Sequence, residues 1–134
     1  MVEVVNRQRS KKVDTETWAR FAEKALDAIG KKGSSANIAF FSDKRIRELN
    51  HQFRNIDKPT DVLSFPAEED TNLGDIAVSV DTAAAQAKEN GLTFEAEIAQ
   101  LILHGLLHLC GYDHETDNGE MNRLELRLRK KLGI

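Results

Sequence analysis

The chain of 134 residues has little cysteine, little proline and no apolar run long enough to cross a bilayer. Its one cysteine, Cys110, has no partner for an internal disulfide, which favours a reducing compartment. The first twelve residues are polar after a short valine-rich run and lack the pattern of a signal peptide. We therefore expect a cytoplasmic protein with no membrane partner.

Aromatic residues are scarce, and positively charged residues are nearly absent from residues 61–120. With six Phe, one Tyr and one Trp, few side chains remain for stacking on nucleobases. Residues 1–60 hold 13 Lys and Arg against 8 Asp and Glu, residues 61–120 hold 1 against 13, and residues 121–134 hold 5 against 1. The net charge of −3 excludes a strong nonspecific nucleic-acid binder. The basic segments are either solvated helix faces or surfaces that hold a polyanion.

The composition and length predict one globular domain over residues 1–134. Hydrophobic periodicity and capping signals predict the element order β-α-β-α-β-β-α-α-α. The predicted strands cover residues 2–6, 36–41, 61–65 and 73–80, with an acidic turn at 68–72. The predicted helices cover about 15–30, 43–53, 81–91, 94–110 and 117–132. Their predicted caps are Asp14 or Thr15, Ser42 or Asp43, Asp81, and Thr93, and the second helix is expected to bury Ile46, Leu49 and Phe53. This order predicts an α/β (α+β) fold with a small mixed β-sheet and packed helices.

Three of the four histidines lie within residues 104–114. His104 and His108 point the same way on a helix, and Gly111 offers a place to end it so that His114 turns back. Residues 98–110 carry no charge and are apolar all round, which predicts a buried central helix. Three neutral imidazoles with a fourth position left for water form a catalytic zinc site, so we predict Zn²⁺ there. The alternative is a set of satisfied core histidines, and Cys110 is expected to be a core residue.

The histidine spacing also matches a zinc endopeptidase pattern in which a glutamate after the first histidine is the general base. Here that position is Gly105, which can neither accept a proton nor orient water. The ligand set of such a protease is therefore present without its base. A zinc hydrolase of another substrate class stays open, as does a non-catalytic assembly factor in which zinc is structural.

Two motifs together resemble the YbeY family of bacterial endoribonucleases. The first is His104-Gly-x-x-His108-x-x-Gly111-x-x-His114. The second is Arg54-x-x-Asp57-x-Pro59-Thr60-Asp61-Val62-Leu63-Ser64-Phe65-Pro66, followed by Gly74-Asp75-Ile76. The resemblance covers roughly residues 35–132, and Phe53 stands where many relatives have tyrosine. It implies zinc bound by His104, His108 and His114, and cleavage of single-stranded RNA in 3′-end maturation of small-subunit ribosomal RNA and in ribosome quality control. Ribosomal RNA and the small ribosomal subunit are the implied partners, and DNA is not expected.

The resemblance implies catalytic roles for Arg54 and His114. A guanidinium matches the charge that develops on phosphate oxygens, although Arg54 can also be an ordinary surface cation at a helix end. Further phosphate contacts are expected from Arg45, Arg47 and Lys58, or from Arg123, Arg127, Arg129, Lys130 and Lys131. Asp61, Asp75, Glu97 and Asp113 are candidates to orient the imidazoles. Asp57, Asp61 and Asp81 serve equally well as turn or cap residues.

Overall fold

The computed structural model of the chain describes residues 1–67, 69 and 71–134. In this part of the chain the elements follow the predicted order. The strands are β1 (Val2–Asn6), β2 (Ser35–Phe41), β3 (Val62–Pro66) and β4 (Asn72–Ser79). The helices are α1 (Thr15–Ile29), α2 (Asp43–Arg54), α3 (Val80–Glu89), α4 (Phe94–Leu109) and α5 (Glu120–Leu132). The acidic turn predicted at 68–72 includes Glu68 and Asp70, which lie outside the described residues.

The strands form one mixed sheet in the order β1-β2-β4-β3. β2 pairs in parallel with β1 and with β4, whereas β3 and β4 pair antiparallel. The antiparallel pair is close in sequence and the parallel pairs are separated by helices, as the connection lengths require. The predicted α/β fold class with a small mixed sheet is confirmed. Because β3 lies at the edge, one of its sides is free to line a groove.

Side chains alternate along each strand, so the two faces of the sheet contribute to two different hydrophobic clusters. On β4, Ile76 and Val78 join the larger cluster, which also takes buried residues of α1, α3, α4 and α5. Ala77, between them, joins a smaller cluster with Ile46 of α2 and Leu63 of β3. This alternation is the two-residue period of a strand, and it places α2 and α4 on opposite faces of the same edge.

Helix α4 is the central buried helix. Ten of its residues are buried, including Ile98, Ile102 and Leu106. It packs against β3, β4 and three other helices, which explains why its sequence is apolar on every side. Prediction and structure agree here. None of the helices in the described part of the chain combines the length and apolar character that a bilayer crossing needs.

Most predicted caps are confirmed, and one is wrong. Asp14, Ser42 and Thr93 accept backbone hydrogen bonds at the starts of α1, α2 and α4. Helix α3, however, is capped by Ser79 and not by Asp81. Strand β4 runs directly into this helix, so its last residue takes the capping position. The Asp81 carboxylate accepts instead from the backbone of Asp43, at the start of α2.

The predicted burial of Phe53 is also wrong. Along the apolar stripe of α2, Ile46 is fully buried and Leu49 is half-buried, but Phe53 is 58% exposed. Phe53 lies in the last turn of the helix and packs edge-to-face on Phe65, a residue of the edge strand. The stripe therefore passes from the interior of the sheet to its rim, where less of the fold remains to cover a side chain.

Candidate metal centre and groove

The end of α4 brings three imidazole rings together. His104 and His108 stand one turn apart, with ring centroids 4.7 Å from each other. The helix ends at Leu109 with Cys110 as its C-cap, and Gly111 adopts a φ of 96°, a left-handed conformation that turns the chain back. The His114 ring consequently lies 5.6 Å from that of His104 and 5.5 Å from that of His108. One nitrogen of each ring lies within 4.8 Å of the others, close enough to bind a metal ion together.

The nitrogen positions are compatible with a bound metal ion. The Nε2 atoms of His104 and His108 are 3.1 Å apart, while two ligand nitrogens of a tetrahedral zinc site are about 3.3 Å apart. Burial lowers the pKa of His108, and the neighbouring His104 lowers it further, against a backbone hydrogen bond of Tyr112 that raises it. The neutral ring that a metal requires is therefore favoured at His108.

Glu125 fixes the orientation of His104, and sequence analysis did not identify it. Its Oε1 lies 2.6 Å from Nδ1 of His104, and its Oε2 accepts from the Arg129 guanidinium at 2.7 Å. Burial raises the pKa of Glu125, but the hydrogen bonds and charges of His104 and Arg129 outweigh it, so the net shift is downward. An ionised Glu125 holds the proton of His104 on Nδ1, which leaves Nε2 free to bind a metal.

A signal for Glu125 was present in the sequence. Met121, Glu125 and Leu128 form the buried stripe of α5. A glutamate within an apolar stripe needs a buried partner, because an unpaired charge is costly there. That requirement points to an internal cation or imidazole, although it does not say which one.

The three histidines line a groove of about 710 Å³, a size typical of ligand pockets. The groove passes over the edge strand from the histidines to the end of α2. It is also lined by Phe53, Arg54, Thr60, Asp61, Val62, Leu63, Ser64, Phe65, Pro66, Gly111, Tyr112, Asp113 and Glu115. Arg54 is exposed, and no ion pair of Arg54 is found among the described residues. The motif containing Arg54 and the histidine motif thus meet in one groove, although about fifty residues separate them in the chain.

The carboxylates proposed to orient the imidazoles lie elsewhere or have other partners. Asp75 accepts from the amide of Asn37 on the open face of the sheet, away from the groove. Asp61 lines the groove, but its Oδ1 accepts from the backbone of Val62. Asp113 also lines the groove, and its Oδ1 accepts from the backbone of Glu115 within the turn before His114. Asp61 and Asp113 therefore serve the local backbone, whereas Asp75 links two paired strands.

Glu97 lies two turns before His104 on α4, and no hydrogen bond joins the two side chains among the described residues. The Glu97 side chain is buried, and its Oε2 can accept from the Gln86 amide at 3.3 Å. Glu125 takes the orienting role that sequence analysis assigned to Glu97 as one of several candidates. The reason is tertiary, because the docking of α5 brings the Glu125 carboxylate to Nδ1 of His104.

Gly105 provides close packing between α4 and β4. A Cβ atom at this position would lie 3.0 Å from Cδ1 and 3.1 Å from Cγ2 of Ile76, which is itself buried. A glutamate in the protease position would meet this side chain. The absence of a protease-type base thus agrees with how tightly α4 lies on the sheet.

Only part of the predicted basic surface lies at the groove. Arg54 lines it, whereas Arg45 pairs with Glu48 at 3.0 Å and Arg47 pairs with Asp57 at 2.7 Å. The Asp57 carboxylate hydrogen-bonds Arg47, which lowers the pKa of Asp57 and keeps the pair ionised. On α5, Arg129 is held by Glu125 behind the histidines. Cys110 is half-buried, and burial raises the pKa of its thiol, as expected for a packing residue.

Comparison with known proteins identifies the family. The chain matches the family model described as Endoribonuclease YbeY over residues 3–133. The chain belongs to the YbeY family. Proteins named Endoribonuclease YbeY include one from Nautilia profundicola, 57% identical over 69% of this chain and 68% of that protein. Another, from Koribacter versatilis, is 47% identical over 91% of this chain and 80% of its own length.

The family assignment extends further along the chain than the motifs do. A protein from Thermotoga maritima, solved in solution, is 31% identical and superposes with a TM-score of 0.71, covering 98% of this chain and 89% of that one. The resemblance inferred from residues 35–132 is therefore confirmed and includes β1 and α1. Membership in the YbeY family favours the endoribonuclease interpretation over the two alternatives left open by the histidine spacing.

Proposed function

We propose that this protein is a zinc-dependent endoribonuclease that cleaves single-stranded RNA. The observation that carries the proposal is the pairing, in one groove, of three convergent imidazoles with the exposed Arg54. Family membership supports RNA as the substrate class, because the relatives are named endoribonucleases. The proposed setting is 3′-end maturation of small-subunit ribosomal RNA and ribosome quality control in the cytoplasm, and its lone half-buried cysteine suits that compartment.

Zinc is the proposed ion, and His104, His108 and His114 are its proposed ligands. Imidazole nitrogens also suit nickel and other divalent ions, and zinc is proposed because three histidines with an open position are typical of catalytic zinc sites. Among the described residues no cysteine or carboxylate joins the three rings, which leaves a coordination position for water or substrate. An open position is typical of catalytic sites, so this donor set favours an enzyme over a zinc-stabilised assembly factor.

The residues around the groove have distinct proposed roles. When bound, zinc supplies a Lewis acid that polarises phosphoryl oxygens and acidifies water. Arg54 would bind the scissile phosphate and stabilise the negative charge that grows on its oxygens. Glu125 would hold the His104 ring, while the exposed His114 would complete the ligand set and face the substrate.

The first experiment is cleavage of a labelled single strand from the 3′ region of small-subunit ribosomal RNA. We expect the zinc-loaded protein to cleave it, and His108→Ala or EDTA to abolish cleavage. The matched control is His51→Ala, which removes the exposed histidine of α2 outside the groove. A DNA strand of the same sequence should stay intact. If the zinc-loaded protein leaves the RNA uncut while binding it, the catalytic role is wrong.

Arg54 is tested separately. We expect Arg54→Ala to bind zinc normally but to cleave RNA about 10²- to 10³-fold more slowly, the usual cost of removing one donor to a developing oxyanion. Arg45→Ala is the matched control, since Arg45 is paired with Glu48 outside the groove. Wild-type cleavage by Arg54→Ala would exclude Arg54 from the reaction.

A further inference from the structure

Phe53 is the exposed phenylalanine of this chain. Its exposed fraction is 58%, whereas the other five phenylalanines are buried or half-buried. In the same apolar stripe of α2, Ile46 is fully buried, whereas Phe53 lies in the last turn of the helix, at the rim of the sheet. Exposing a large aromatic ring forgoes the free energy of burying it, so its location is informative.

The exposed ring of Phe53 has an aromatic neighbour in the fold. It meets Phe65 with centroids 5.2 Å apart and planes inclined by 64°, an edge-to-face arrangement. Phe65 is itself packed against the small cluster that contains Ile46 and Leu63. The Phe53 ring therefore rests on the fold on one side and presents the rest of its surface to solvent.

Part of that surface lines the groove of the three histidines, and Phe53 also lines the apolar cavity on the open face of the sheet. Phe53 and Phe65 line the groove together with Arg54, the next residue after Phe53. Consecutive positions at the end of a helix point in different directions, so the groove receives both an aromatic ring and a guanidinium from one turn of α2. An arginine for the phosphate and an aromatic ring for a base are the two kinds of contact that single-stranded nucleic acids require.

We propose that Phe53 is a stacking subsite for one nucleobase of the RNA strand whose phosphate meets Arg54 and the histidine centre. This inference rests on the proposed function and deepens it, by naming the part of the substrate that the aromatic end of the groove takes. Every base has a π face, so the subsite selects an unstacked, single-stranded nucleotide and not a particular sequence. A base within a duplex is stacked on its neighbours and cannot reach the ring. The subsite thus gives a physical reason for single-strand preference.

The test measures RNA binding apart from cleavage. The full chain is kept in EDTA, so that a short fluorescein-labelled single-stranded RNA is not consumed, and its Kd is read by fluorescence anisotropy. Stacking of one base on an aromatic side chain predicts that Phe53→Ala weakens binding by about 5- to 150-fold. Phe53→Trp should bind at least as tightly as wild type, and Phe53→Leu should resemble Phe53→Ala because it keeps apolar volume without a ring. Leu126→Ala, which truncates another exposed apolar residue 52% exposed on α5, is the matched control.

A second series identifies the base. RNAs that carry a single abasic nucleotide at successive positions should show one position where wild type loses affinity and where Phe53→Ala loses nothing further. With zinc restored, the Phe53→Ala defect should appear mainly in KM, since stacking precedes the reaction. Equal affinity of wild type and Phe53→Ala for intact RNA overturns the subsite and leaves the proposed function standing. Failure of zinc-loaded wild type to bind or cleave any single-stranded RNA overturns both.

Discussion

Replacing Gly105 by alanine tests whether close packing of α4 on β4 determines the geometry of the metal centre. The added Cβ would lie 3.0, 3.1 and 3.3 Å from the Cδ1, Cγ2 and Cγ1 atoms of Ile76. Ordinary van der Waals contact between carbon atoms is about 3.5–4.0 Å, so the two elements must separate by a few tenths of an ångström or Ile76 must leave its rotamer.

Two opposing contributions determine how much Gly105→Ala changes the free energy of unfolding. Alanine is about 1 kcal/mol more favourable than glycine inside a helix, whereas overpacking a close-fitting core costs roughly 1–3 kcal/mol. Ile76 is only 1% exposed and has little room to move. We therefore expect Gly105→Ala to lower the free energy of unfolding by up to about 2 kcal/mol. Because His104 and His108 flank the contact, zinc affinity should fall as well.

The decisive measurement is a double-mutant cycle with Ile76→Ala, in which urea denaturation gives the unfolding free energy of each metal-free protein. Ile76→Ala alone should cost roughly 2–5 kcal/mol, since it removes buried methyl groups. In that background the three short contacts are gone, so Gly105→Ala should stabilise the protein by about its helix propensity, ~1 kcal/mol. Gly105→Ala should therefore lower the free energy of unfolding of the wild-type protein and raise that of the Ile76→Ala protein. If Gly105→Ala stabilises both proteins equally, the contact is too soft to constrain α4 and the packing explanation is refuted.

Two further predictions concern the residue behind the histidines and the first helix. Glu125→Gln should weaken zinc binding by about 10- to 100-fold in competition with a chromophoric chelator, because it removes the charge that orients His104; unchanged affinity would exclude that role. Hydrogen bonds from Thr17 lower the pKa of the N-cap Asp14, so its stabilising contribution is present above its unfolded pKa and is lost as the pH falls through the folded value. The Tm advantage of wild type over Asp14→Asn, which keeps the cap without the charge, should therefore shrink between pH 7 and pH 3; an advantage independent of pH would contradict the assignment.

The parts of the site that the sequence predicts are those encoded by local spacing. His104 and His108 are one helical turn apart, and Gly111 provides the turn that returns His114, so three neighbouring positions are sufficient to infer a convergent site. The caps Asp14, Ser42 and Thr93 are local in the same sense. Glu125 is different, because its approach to His104 depends on how α5 docks, and no local pattern specifies that contact.

Phe53 also shows that a local sequence pattern does not specify the tertiary surroundings of a side chain. Its spacing from Ile46 and Leu49 is that of a buried stripe, and the pattern is correct for the helix itself. Burial, however, requires a surface opposite the stripe, and β3 is a short edge strand that extends no further. The prediction is wrong because periodicity gives the direction of a side chain and not the extent of the sheet below it.

The packing of α2 and α4 at the edge of the sheet explains where the groove lies. Helices α2 and α4 pack on opposite faces of the sheet near the same edge strand, so their C-terminal ends bring unlike groups to one rim. From α4 come the imidazoles, fixed by burial of the rest of that helix. From α2 come Phe53 and Arg54, exposed because the sheet ends beneath them. A single strand of RNA laid across β3 would meet a cation and a ring on one side and the metal centre on the other. Lengthening β3 or covering its edge should therefore block RNA binding even with every site residue intact.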